Sequence, residues 1–136
     1  MPMINITARD ILRGKIVEPA WYRVRVDEVG EKTAKSGQSQ FYPCEGTIVK
    51  NADNGSTEFA GVPTPQGWGF SELALGFAIG FLEACGAEVG PGRFELKDAE
   101  GKEIDIYIEN GLYEGRTVNK INHKYRRPRP NEPVQP

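Results

Sequence analysis

Ile104-Asp105-Ile106-Tyr107-Ile108-Glu109-Asn110-Gly111 alternates apolar and polar residues and ends in Asn-Gly. Period-two alternation reads as a half-buried strand, and Asn-Gly favours the positive backbone angles of a two-residue hairpin turn. The expectation is a hairpin at Asn110-Gly111, with Leu112 to Tyr125 returning as the last long strand. Upstream, Ser71 to Gly86 carries the clearest helical pattern in the chain. Leu73, Ala74, Phe77, Ala78, Phe81, Leu82 and Cys85 form one broad apolar face. Ser71 has the chemistry of an N-cap and Gly86 that of a C-terminal stop. Gly76 and Gly80 lie inside the pattern, each costing about 1 kcal/mol relative to Ala, so packing has to hold this helix.

Three strands are expected before the helix. Tyr22, Val24 and Val26 alternate with Trp21, Arg23, Arg25 and Asp27, and the alternation slips at Asp27–Gly30, where a bulge would let a long strand curve. Glu31–Gln40 reads as a loop. Phe41–Lys50 reads as the second strand, with Pro43 and Gly46 placing it at an edge or a bulge. After the turn signal Asn54-Gly55, Ser56–Val62 is expected as the third strand, and Pro63–Phe70 as a loop bearing Trp68 and Phe70. At the start, Thr7 and Asp10 fit a capping pattern for one or two helical turns that stop at Gly14. Arg93–Lys97 is expected as a short strand, and residues 126–136 as an extended, proline-rich basic tail.

The 136 residues carry a formal net charge of −2, which conceals strong segregation. Residues 1–50 sum to +2, 51–87 to −4, 88–115 to −5 and 116–129 to +6. A polyanion responds to the local field within about 8–10 Å rather than to the total. No apolar stretch reaches the ~18 residues that span a bilayer, and the first residues lack the basic-then-apolar order of a signal peptide. Cys44 and Cys85 are isolated cysteines, without metal spacing or a disulfide framework, and fit a reducing cytoplasm. His123 is the sole histidine and has no Cys or Asp beside it. With no phosphate loop and no nucleophile motif, no enzyme, metal or other cofactor is expected.

Three strands, a helix and two hairpinned strands follow the element order of an OB-fold. The expected fold is mainly β with one main helix: a five-stranded Greek-key barrel with the helix between strands three and four. A single domain would span residues 1–125, with a short N-terminal extension at 1–15. The chain resembles phage-encoded single-stranded-DNA-binding proteins of the OB-fold type in four stretches. These are Asp10–Lys15 with Glu18–Tyr22, Ala34–Gly37, Phe81–Gly86 and Ile108–Asn119. The resemblance implies coating of single-stranded DNA during phage replication, recombination or repair, without catalysis, in the host cytoplasm. Replication or recombination proteins are the implied protein partners. RNA stays open as a ligand, no membrane contact is expected, and any oligomer would be a dimer. Many such proteins end in an acidic recruiting tail, whereas this chain ends basic and proline-rich, with Glu132 alone. The competing class is a protein-interaction module, a recombination accessory or virion component, on the same barrel.

Sequence-independent binding needs cations for phosphates and aromatic faces for bases. Trp21, Arg23 and Arg25 share one strand face, and Lys32 and Lys35 sit in the first inter-strand loop. Arg116, Lys120 and Lys124 recur every four residues and so face one side of the last strand, and Tyr113 lies near the hairpin tip. Tyr42 and Trp68 complete the candidates, each also readable as core, and Trp21 as a lid on the barrel end. Asp105, Tyr107 and Glu109 are expected to make an exposed acidic face that repels DNA.

Overall fold

The Thr7 hydroxyl accepts a hydrogen bond from the Asp10 amide (3.1 Å), and the Asp10 carboxylate accepts one from the Thr7 amide (3.0 Å). This closed capping box starts α1 (Ala8–Arg13), and Gly14 caps its other end. None of its residues is buried, so side chains hold it. Arg9 pairs with Asp27 and Glu45, and Arg13 binds Glu45 and the Thr64 carbonyl. The hydrogen bond from Arg13 keeps the Glu45 carboxyl below the ordinary glutamate value. The structure, a computed structural model, describes residues 3–30, 41–71, 75–87 and 95–128.

Five antiparallel strands form one sheet: β1 (Ala20–Val29), β2 (Phe41–Asn51), β3 (Gly69–Ser71), β4 (Glu103–Tyr113) and β5 (Arg116–Arg126). Their spatial order is β3-β2-β1-β4-β5. The expected slip in β1 is present, as a register shift between Val26 and Glu28 against β2. Period two sends Tyr22, Val24, Val26, Ile104, Ile106 and Ile108 to one face, where they are buried with Ile48 and Phe70. Against them lies α2 (Leu75–Ala84), which buries Ala78, Phe81 and Leu82. Each buried Val, Leu, Ile or Phe side chain contributes about 1.5–3 kcal/mol by leaving water. The helix touches both edge strands, β3 and β5, so the sheet curls around the core. Phe81 packs on Phe70 and Tyr125 with ring centroids 5.0 and 5.5 Å away, and the Trp68 indole N–H donates to the Tyr125 hydroxyl (2.8 Å).

The hairpin turn lies four residues beyond the expected one. Tyr113 pairs with Arg116, leaving Glu114 (φ 49°) and Gly115 (φ 77°) as the two turn residues. Both angles are positive, as a type I′ turn requires. Asn110 and Gly111 instead continue β4 opposite Asn119 and Val118. The reason is tertiary. The Asn110 amide donates to the Val17 carbonyl (3.0 Å), Asn119 Oδ1 accepts from the Val17 amide (2.9 Å), and Asn119 Nδ2 donates to the Lys15 carbonyl (2.8 Å). The two asparagines thus form a cross-strand pair that fastens residues 15–17.

The third strand is not Ser56–Val62 but Gly69–Ser71, inside and just past the expected loop. Residues 61–68 do run along β2. Gly61 N–H bonds to the Ile48 carbonyl, Ile48 N–H to Val62, Thr64 N–H to Gly46 and Cys44 N–H to Trp68. Pro63 and Pro65 have no N–H to give, so a regular ladder starts only after them. Ser71 ends β3, and residues 72–74, where its expected cap would act, lie outside the described residues. Of the strand expected at 93–97, residues 93 and 94 lie outside them as well, and Leu96–Ala99 is a 3-10 turn. Phe77, placed on the core face by the helical wheel, is instead 48% exposed. Leu73 and Ala74 lie outside the described residues. Arg126 and Arg127, counted with the tail by sequence, are fixed: Arg126 closes β5 and Arg127 donates to the Glu83 carbonyl (2.9 Å).

Both cysteines are free thiols, Cys44 buried and Cys85 half-buried. Burial pushes their pKa values up, to about 12 and about 11. Because the thiolate is the reactive form, an aromatic disulfide reagent at pH 8 is expected to label the native protein slowly and the urea-unfolded protein at once. Burst labelling of both thiols in the native protein would contradict this packing.

Candidate nucleic-acid interface

The outer face of β1, β4 and β5 carries Trp21, Arg23, Arg25 and Lys124 from the residues singled out by sequence, and the structure engages each of them within the protein. Asp105 is not on an exposed acidic face: it is 1% exposed. Its register partners are Arg23 on β1 and Arg126 on β5. Arg23 Nε donates to Oδ1 (2.7 Å) and Arg126 Nε to Oδ2 (3.2 Å), and Arg126 Nη2 reaches Asp53 (2.7 Å). The Arg126 guanidinium lies over the Trp21 ring, 4.2 Å from its centroid. Trp21 meets Tyr107 edge-on at 5.6 Å, and the Lys124 ammonium stands 5.2 Å from the Tyr107 centroid. Arg25 donates to Asp27 (2.7 Å). Arg23 and Trp21 are therefore engaged within the protein, where sequence offers them to phosphates and bases.

Along the edge of β5, Arg116 and Lys120, which share the outer face with Tyr113 and Glu109, border a groove. It runs between residues 65–67, the end of α1 and β5. One part is lined by Arg13, Ile16, Gln66, Tyr113, Arg116 and Asn119 among others, and the adjoining part by Gln66, Lys120 and His123 among others. Among the described residues neither part is lined by an acidic side chain, and Glu109 stands opposite Lys120 in the ladder. Arg116 and Lys120 are exposed and make no ion pair among the described residues. Tyr113, 66% exposed at the hairpin tip, offers an open ring. Further along, past Pro65–Trp68, the lining includes Glu28 and Glu45, so the positive stretch has a defined end.

At the β5 end of this groove the strand bulges. Ile121 pairs with Ile108 and Tyr125 with Ile106, so Asn122, His123 and Lys124 face Tyr107 alone. His123 adopts φ 56°, which is unfavourable for a residue with a Cβ. Its Nδ1 lies 2.9 Å from the Tyr125 hydroxyl, which accepts from Trp68. Burial lowers the His123 pKa, and a neutral ring suits this chain, with Tyr125 donating to Nδ1.

Of the residues chosen from sequence, Tyr113, Arg116 and Lys120 converge on the groove. Trp21, Arg23, Arg25 and Lys124 lie on the outer face. Trp68 is corrected to core, being 4% exposed among Phe70, Phe81 and Tyr125. Tyr42 is half-buried in β2 opposite Phe70. Lys32 and Lys35 lie outside the described residues. Sequence reading missed Arg13, Gln66 and Asn119 because nothing local shows that α1, the 65–67 turn and β5 meet.

Among the described residues no group of three or more His, Cys, Asp or Glu side chains could hold a metal ion, and no helix is long and apolar enough to cross a membrane. The chain matches no protein-family model and no curated protein.

Proposed function

We propose that the protein binds single-stranded DNA along the groove between residues 65–67 and β5, largely without regard to sequence and without catalysis. The observation that carries this reading is a groove bordered by Arg116 and Lys120, which make no ion pair, with no acidic lining side chain among the described residues and an open Tyr113 ring at its end. Cations along a track and aromatic faces beside it are what a flexible polyanion with unpaired bases requires. The strand order, with α2 between β3 and β4, supports an OB-fold type of barrel, a fold that binds oligonucleotides. The resemblance to phage single-stranded-DNA-binding proteins adds the setting: coating of single strands during replication, recombination or repair in the host cytoplasm.

Titration of fluorescent oligothymidylate, duplex DNA and RNA across a salt series tests this. Single strands are expected to bind more tightly than duplex. Their log affinity should fall with log salt by about 0.7 for each phosphate engaged. Salt-independent or absent binding of single strands at micromolar protein would overturn the proposal.

One observation favours the second reading, a protein-interaction module. Met3, Ile4 and Ile6 before α1, and Leu112 at the hairpin tip, are large apolar side chains left exposed. Under that reading, partner capture would be indifferent to added oligonucleotide.

A further inference from the structure

We propose that the outer face of Phe77 is a stacking site for one unpaired base of the bound strand. This inference rests on the groove reading above and adds a base site to its phosphate track. Phe77 is the large ring of α2 that the core does not take, while its neighbours Ala78, Phe81 and Leu82 are buried. Its inner face is already stacked: the His123 ring lies 4.4 Å away at an interplanar angle of 10°. His123 is itself held in place by Tyr125 and by the Phe70 ring at 5.5 Å. It lines the groove beside Lys120. A strand whose phosphate meets Lys120 therefore passes the edge of a two-ring stack.

Two glycines lie near Phe77 on α2. Gly76 and Gly80 precede it by one residue and follow it by three, and a Cβ built on either would meet nothing within 4 Å among the described residues. Packing does not require these glycines, although each weakens a helix interior by about 1 kcal/mol relative to Ala. Gly80, one turn on and on the same side of the helix, leaves that flank of the Phe77 ring without a side chain, as a planar base needs. Charge supports the same occupant: Lys120 and Arg116 border the adjoining stretch, and no acidic side chain among the described residues lines the groove there.

The test compares wild type, F77A, F77L and F77W on two probes, an oligothymidylate and an abasic deoxyribose-phosphate strand of equal length. Stacking against one base predicts that F77A and F77L bind oligothymidylate about 5- to 150-fold more weakly than wild type. Binding of the abasic strand and the salt slope should stay unchanged. F77W should retain affinity, with its fluorescence quenched by oligothymidylate and not by the abasic strand. Wild-type affinity of F77A and F77L for oligothymidylate would overturn the stacking site while leaving the groove reading intact. An equal loss on both probes would also overturn it, since it would report damage to the groove. If wild type binds neither probe, the groove reading fails, and the stacking site fails with it.

Discussion

Replacing Asp105 with Ala is expected to lower the stability of the protein by about 3–5 kcal/mol, the range seen when one member of a buried ion pair is removed. For a chain of this length that is a fall in Tm of roughly 10–20 °C. The size follows from what the carboxylate holds. It is 1% exposed and takes a different arginine on each oxygen, Arg23 from β1 and Arg126 from β5. Its removal leaves two guanidinium groups, themselves 16% and 28% exposed, facing each other across β4 without an anion between them. Repulsion between them would dislodge Arg126 from the Trp21 ring and from Asp53, loosening β5 along its C-terminal half. R126A should cost less, because Asp105 keeps Arg23, and the partly exposed Arg126–Asp53 bridge contributes little. Thermal and urea unfolding of D105A, D105N and R126A read this out. A D105A protein melting within about 2 °C of wild type would show that the cluster does not hold the sheet.

Asp105 also shows where sequence stops being informative. Its parity in the strand opposes Ile104 and Ile106, and an acid at that parity reads as solvent-exposed. Its burial depends on arginines 82 residues before and 21 residues after it, a distance no local pattern conveys. Features decided within a few residues were legible. The capping box at Thr7, the apolar phase of β1 and β4, the slip at Asp27 and the stop at Gly86 (φ 91°) all stand as expected. The hairpin turn was misread because Asn110-Gly111 has the better turn chemistry, yet the Asn110 amide is drawn into the 15–17 segment. Glu114-Gly115 then turns instead, with Gly115 tolerating its positive φ without strain. The third strand was misread because apolar pattern located the segment beside β2 but the two prolines decide where the ladder begins.

For the site, the cations of β5 were legible by their spacing, and the surface they serve was not. Sequence placed Arg116, Lys120 and Lys124 on one side of the last strand, and the register agrees. Arg116 faces Tyr113, Lys120 faces Glu109 and Lys124 lies over Tyr107, all on one face of β4, although the bulge at Asn122–Lys124 interrupts the ladder. It placed Phe77 in the core from a wheel that assumes one uniform apolar neighbour. The neighbour actually supplied is the ring of His123, aligned by a backbone angle that could not be inferred from the surrounding residues.

The path of the strand is decided by comparing two sets of cations. Arg116 and Lys120 are unpaired among the described residues and line the groove, whereas Arg25 is paired with Asp27 on the outer face. At 0.1 M monovalent salt, each lost phosphate contact on a single strand lowers affinity about fivefold through counterion release. R116A/K120A is therefore expected to bind oligothymidylate roughly 25-fold more weakly, with a salt slope shallower by about 1.4. Its stability should stay within about 0.5 kcal/mol of wild type, since both side chains are exposed and make no ion pair there. R25A should leave affinity and slope near wild type, because its charge is already answered by Asp27. The opposite result, a flattened slope in R25A and none in R116A/K120A, would move the strand to the outer face of β1. Arg25 would then have to exchange Asp27 for phosphate, and the groove beside residues 65–67 would lose its assignment.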